Sequence, residues 1–213
     1  MNGFTSKSTG WLVLIIGATG ILAVVSLVLF FVGLFQHIPS LLFMGALNDG
    51  INSLASLLAA VLASVMYPAL HKQASHLSLM VLIGTWVGAI AVTFGSWLIV
   101  TGRSDVELSS YYFFLGNGLI GIWLWMVNRI AGKRVVWPRN LARLGVIASG
   151  FMMIGLLGLY GVLLGLDGDD YSPLLLTTGM SFLGTGFLYP AWCLRLAYWI
   201  LSEQNDASAA IQG

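Results

Sequence analysis

The sequence predicts an all-α protein, a polytopic transmembrane helical bundle of six spans with the N-terminus and the C-terminus both inside (N-in/C-in). Three observations support this prediction. Of the 213 residues, 58% are hydrophobic and only 8% are Asp, Glu, Lys or Arg, whereas soluble domains carry about 25% charged residues. The apolar residues form continuous runs near the ~20 residues that a spanning helix needs. The basic residues gather in alternate connections, as the positive-inside rule predicts.

The predicted spans form one six-helix transmembrane domain over residues 1–202, followed by a polar cytoplasmic tail at 203–213 that we expect to be disordered. The first apolar run begins after Lys7 and is longer than the ~7–15 residues of a signal-peptide core. We therefore predict an uncleaved first helix, capped by Ser8 or Thr9. The six spans cover residues 11–35, 41–67, 78–101, 111–131, 141–166 and 173–201.

Small residues predict where these helices approach each other, because close packing replaces the hydrophobic effect between helices in lipid. Span two has two stripes at a spacing of four, which predicts a central position in the bundle. The stripes are Asn52, Ser56, Ala60 and Ser64, and beside them Ala55, Ala59 and Ala63. Glycine pairs predict further contacts at Gly84 and Gly88 in span three, Gly161 and Gly165 in span five, and Gly184 and Gly186 in span six.

Spans four and six carry a group of tryptophans that predicts an aromatic belt at the inner membrane interface. The group consists of Trp123, Trp125, Trp192 and Trp199. Span six also contains Pro190, which lacks a backbone N–H and is expected to kink the helix.

The charges of the connections predict the orientation. With the N-terminus inside, eight of the nine Lys and Arg residues face the cytoplasm and only Arg103 lies outside. The connection after span four carries no acid, and its bases are Arg129, Lys133, Arg134, Arg139 and Arg143. Trp137 and Pro138 in this connection predict an interfacial elbow with the tryptophan among the headgroups. Orientation accounts for the bases, and a lipid-binding role is the alternative.

The strongest functional signal is Asp49, the one acid that the prediction places inside a span. Acids within a membrane mark functional sites by default. Asp49 is expected about 12 Å below the outer surface, from the helical rise. Asn48 and Asn52 flank it on one helical face, because they are four residues apart.

Other helices place hydroxyl or amide groups at a similar depth of about 6–12 Å, including Thr93 and Ser96 in span three. We therefore predict an outward-facing polar pocket that binds a ligand or an ion. Its expected lining is Asp49, Asn48, Asn52, Asn117, Thr177 and Tyr160. Two structural alternatives remain open: these groups cross-link the helices at about 0.6 kcal/mol each, or Asp49 and Gly50 form a helix break that faces headgroup water.

Several functions are not supported by the sequence. A net charge of +1 gives no field to attract nucleic acid. The single Cys193 and the three histidines do not show metal-ligand spacing. No nucleotide-binding, metalloprotease or nucleophile motif is found. We therefore expect no enzyme, no cofactor and no metal.

The second half of the chain resembles a group of small bacterial six-helix integral membrane proteins that bring no established activity. The resemblance rests on Trp137-Pro138-Arg139, on Leu144-Gly145, and on Tyr189-Pro190-Ala191-Trp192. It implies a multi-pass protein of the bacterial cytoplasmic (cell inner) membrane.

Two functions are compatible with these observations. The first is binding or transport of a small solute, cation or proton through the polar pocket around Asp49. The second is a structural or accessory subunit of a larger membrane complex, with no substrate of its own. Beyond the lipid bilayer, the expected partners are a small solute or cation, and either a second copy of the chain or another membrane protein.

Overall fold

A computed structural model describes residues 6–72, 75–103, 106–134, 136–157 and 172–212. Within these ranges the chain forms helices and no strand, so the all-α prediction is confirmed. Five helices are long and apolar enough to cross a membrane, as expected of a polytopic membrane protein. The helices are α1 Lys7–Phe35, α2 Phe43–His71, α3 Ser75–Val100, α4 Val106–Lys133, α5 Arg139–Ile154, α6 Ser172–Phe182 and α7 Tyr189–Gln212.

Helices that follow each other along the chain are neighbours in space, and α7 closes the bundle against α1. The prediction that α2 occupies the centre is wrong. α2 packs against α1, α3 and α4, whereas α4 packs against α2, α3, α5 and α6. The large side chains of α4 fill the core, while the small side chains of α2, such as Ala59 and Ala63, let its neighbours approach closely.

Two ends of the chain differ from the prediction. α1 begins earlier, because the Ser6 hydroxyl, rather than Ser8 or Thr9, caps it by accepting from the Thr9 N–H at 3.2 Å. At the other end, α7 continues to Gln212, so residues 203–212 are helical where disorder was expected. Ala, Gln and Glu in this segment favour helix.

The last helical segment is interrupted between α6 and α7 by a π-helical segment at Leu183–Leu188. There the Tyr189 N–H donates to the Gly184 carbonyl, five residues back. Pro190 explains the interruption, because its ring would clash with the carbonyl four residues before it in a regular α-helix. The wider π turn moves that carbonyl away.

The inner aromatic belt is not formed as predicted, because Trp123 and Trp192 are buried in the core. Trp137 is also 1% exposed and packs edge-on against Trp192, so it does not lie among the headgroups. The Trp192 indole donates to Asn128 Oδ1 at 2.9 Å, and Asn128 Nδ2 donates to the Leu124 carbonyl at 2.8 Å. These side chains join α4, the start of α5 and α7 into one packed cluster.

The closest approach between α3 and α4 is at Gly88 and Gly116. A Cβ atom on either residue would overlap the backbone carbonyl of the other. Gly84, one turn earlier on α3, has nothing within 4 Å of such a Cβ. Only one member of the predicted Gly84–Gly88 pair therefore makes the contact.

We expect Gly88→Ala to lower the free energy of unfolding by about 1–3 kcal/mol, because a backbone carbonyl cannot move aside without separating α3 from α4. The matched control Gly84→Ala should be neutral or stabilising by up to about 1 kcal/mol, from helix propensity. Unfolding in mixed micelles by SDS measures both. Equal effects of the two substitutions would contradict the assigned contact.

Candidate functional site

A small polar cavity lies between α1, α2, α4 and the π segment, and its volume is about 30 Å³. Its polar lining comes from α2, α4 and the interrupted last helix, while α1 contributes an apolar wall that includes Gly20. The polar residues that line it are Asn48, Asn52, Ser56, Asn117, Thr185 and Tyr189. No Lys, Arg or His is among its lining residues.

Three carboxamide side chains converge on this cavity. Asn52 Nδ2 donates to Asn48 Oδ1 at 3.1 Å, one turn back on α2. Across the cavity, Asn117 Nδ2 donates to the Phe113 carbonyl at 2.9 Å within α4. Each of these bonds uses one of the two amide hydrogens, and no described residue donates to the carbonyl oxygens of Asn52 and Asn117. The carboxamides therefore offer the cavity both acceptor oxygens and N–H donors.

Asp49 lies beside the cavity rather than in its lining. Its Oδ1 accepts from Asn48 Nδ2 at 3.4 Å, a long bond that places the carboxyl group behind Asn48. Asp49 is partly buried. Its carboxyl can act on the cavity through its charge, and through Asn48, but not by direct contact in this conformation.

Tyr189 lines the opposite side of the cavity. The residue is 6% exposed, and its hydroxyl is buried without a hydrogen bond of good geometry to a described residue. The polar group that interacts with this hydroxyl is the Cys193 thiol, one turn later on α7. A thiol is a weak hydrogen-bond partner, so the protein satisfies this hydroxyl only weakly. The Tyr189 ring stacks on Trp192 with centroids 6.0 Å apart.

The π segment forms part of the same wall. Thr185 and Gly186 both line the cavity, and Pro190 follows them at the spacing of one helical turn. Because Pro190 has no N–H, one carbonyl in this turn loses its helical donor. Gly20 on α1 allows the interrupted helix to approach, since a Cβ there would overlap the Pro190 ring.

The structure brings together some of the predicted site residues and not others. Asn48, Asn52 and Asn117 line one cavity, Asp49 stands next to it, and Thr177 does not line it. Tyr160 lies outside the described residues. Thr93 also stays apart and donates to the Ala89 carbonyl of its own helix at 2.9 Å.

The prediction missed three residues of the lining, which are Ser56, Thr185 and Tyr189. Ser56 was assigned to the small-residue stripe, although it lies one turn from Asn52 on the same face. The sequence contains one indication for Tyr189. This residue directly precedes a proline within a helix, and such a proline interrupts the helix. Such interruptions occur often at functional sites.

The size of the cavity limits what it can hold. A cavity needs about 10–15 Å³ of this kind of volume for one water molecule, so about 30 Å³ accommodates roughly two. An organic solute does not fit in this conformation. A small cation with a water, or a short water chain, does.

Fold and site together define a polytopic helical membrane protein with a small cavity, lined by apolar residues and six polar ones, beside an acidic side chain. Comparisons with protein-family models, with curated proteins and with solved structures found no match.

In buffer without alkali cations, we expect Tyr189→Phe to be as stable as the wild type or more stable by up to about 1 kcal/mol. The substitution removes a buried hydroxyl whose partner is the weakly bonding Cys193 thiol, and it keeps the ring. The comparison variant Asn128→Leu should lose about 1–3 kcal/mol, because it leaves the Trp192 N–H buried without its acceptor. Thermal unfolding of both variants in nanodiscs checks this, and a Tyr189→Phe loss as large as that of Asn128→Leu would show that the hydroxyl is satisfied.

Proposed function

We propose that this chain is a protein of the bacterial cytoplasmic membrane that binds a small cation, with a proton as its competitor, in the cavity between α1, α2, α4 and the π segment. The observation that carries the proposal is the convergence of three carboxamides, from Asn48, Asn52 and Asn117, on a space of about 30 Å³. Transport of the same ion would be a further property of this site.

The proposal includes six spans, with the last one formed by α6, the π segment and α7, and with both termini in the cytoplasm. The basic residues between α4 and α5 support this orientation. It places the cavity in the outer half of the membrane and the cluster around Trp192 in the inner half. Ions would then enter from the outside.

The chemistry of the lining favours a cation over an anion. Hard cations take oxygen ligands, and rings of carbonyl oxygens can replace their hydration shell. The residues that line the cavity offer the side-chain carbonyl oxygens of Asn52 and Asn117 and the hydroxyl of Ser56. Interrupted helices with free carbonyls coordinate cations in the same manner in secondary transporters.

The charge of Asp49 supports the same choice. At an effective dielectric constant near 20, two opposite charges about 8 Å apart attract each other by about 2 kcal/mol, and we take this value for the scale of the Asp49 effect. Asp49 would therefore supply attraction, while the neutral oxygens of the cavity supply coordination. Asp49 can therefore contribute to cation binding although its carboxyl does not line the cavity.

Cation binding should raise the melting temperature of the wild-type protein in nanodiscs. We expect one of Li⁺, Na⁺ or K⁺ to stabilise it against N-methylglucamine at constant ionic strength. At ten times the dissociation constant, the expected gain is about 1.4 kcal/mol. Asn52→Leu and Asn117→Leu should each lose most of this gain, because each removes a coordinating oxygen.

The matched control is Asn140→Leu, which removes an exposed carboxamide near the start of α5 and should keep the full gain. If none of the three cations raises the melting temperature of the wild type above its value in N-methylglucamine, the cation proposal is wrong. The accessory-subunit function would then be favoured, and partners should be sought by co-purification.

Asp49→Asn should bind the stabilising cation about 10- to 30-fold more weakly, from the loss of about 2 kcal/mol of attraction. In the wild type, the gain from the cation should decrease at a pH low enough to protonate Asp49, because a protonated carboxyl no longer attracts the ion. In Asp49→Asn the smaller gain should not change with pH. Glu203→Gln, which neutralises an exposed acid on α7, is the matched control and should behave as the wild type. Identical pH curves for the wild type and Asp49→Asn would exclude Asp49 from the site.

A further inference from the structure

A second, larger concavity lies at the opposite end of the bundle from the polar cavity. It is a groove of about 430 Å³ between the end of α4 and the start of α5. Four of its lining residues are basic and none is acidic. The basic residues are Arg129, Lys133, Arg139 and Arg143.

The four bases form two pairs, one on each helix that lines the groove. One of them, Arg129, also stacks on Trp125, with its guanidinium 4.9 Å from the ring centroid. Arg129 and Lys133 are four residues apart on α4, so they share one helical face, and Arg139 and Arg143 do the same on α5. The helices approach closely between the pairs, because a Cβ on Gly132 would lie 3.1 Å from the Ala142 Cβ. Like charges at this spacing destabilise a helix by about 0.2–0.5 kcal/mol per pair. The positive-inside rule explains why bases lie at this end, but it does not require two pairs to face each other across one groove.

The groove is amphipathic along its length. The basic side chains occupy the end of the bundle, while Val146 and Ile147 line the groove deeper along α5. Ile147 is 52% exposed. The amide of Asn128 forms the floor, and both its oxygen and its nitrogen are already hydrogen-bonded within the protein. A ligand in this groove would therefore meet charge at the surface and apolar side chains below it.

We propose that this groove binds one anionic phospholipid, with the phosphate between the two basic pairs and an acyl chain along Val146 and Ile147. Basic pockets between transmembrane helices recognise anionic headgroups by this combination of charge and depth. A neighbouring groove between α3 and α4 is lined by the same Arg129 and Lys133 but has bases on one side only. The facing arrangement distinguishes the α4–α5 groove. The proposal is independent of the ion cavity.

The experiment is native mass spectrometry of the full chain, released from nanodiscs that contain phosphatidylglycerol and phosphatidylcholine with identical acyl chains. The wild type should retain one phosphatidylglycerol under conditions that remove phosphatidylcholine. Arg139→Gln with Arg143→Gln should weaken this retention about 30-fold, because each basic side chain near the surface contributes about a factor of five.

The matched control is Lys72→Gln with Arg134→Gln, which removes two exposed positive charges that do not line the groove. It should keep the lipid as the wild type does, and melting curves should show that both double variants are folded. Equal loss in the two double variants, or equal retention of the two lipids by the wild type, would overturn the proposal. Displacement of the lipid by millimolar inorganic phosphate would also overturn it and assign the groove to a free anion.

Discussion

The constraint on which this structure depends is that a chain in lipid must satisfy its backbone hydrogen bonds internally. It explains why the described residues form helices and why the helices are long. It also explains why the exception at Pro190 is informative. A helix in lipid that loses an N–H has to compensate locally, and here the compensation is a π turn with Thr185 and Gly186 facing a cavity. Among the described residues, this π segment is the one interruption of its kind within a predicted span. It lies at the cavity on which the side-chain amides converge.

The packing around this interruption is achieved by glycines and not by complementary large side chains. Gly20 admits the Pro190 ring, and Gly184 lies where a Cβ would meet the Met152 backbone at 2.6 Å. Each glycine allows an irregular turn to approach a regular helix.

The sequence predicts the helical class, the approximate spans and the Asn48–Asn52 pair, because these depend on composition and on spacing within one helix. It does not predict the contacts between distant positions. The Trp192–Asn128 bond joins residues 64 apart in the chain, and no local pattern indicates it. Hydropathy also cannot separate a tryptophan in a belt from one in the core, since both are apolar and both occur near helix ends. Trp123, Trp137 and Trp192 were assigned to the interface for this reason.

The tryptophan cluster limits what the cavity can do in this conformation. Tyr189 closes the cavity toward the basic end, and its ring lies on Trp192, which is fully buried and fixed by Asn128 and Trp137. If the cavity binds an ion as proposed, the stacked rings of Tyr189 and Trp192 stand between the ion and the basic end of the bundle. Passage across the membrane would require this stack to separate, whereas binding would not. Under the proposed function, ion binding is therefore the simpler property, and the stacked pair of rings is the barrier to transport.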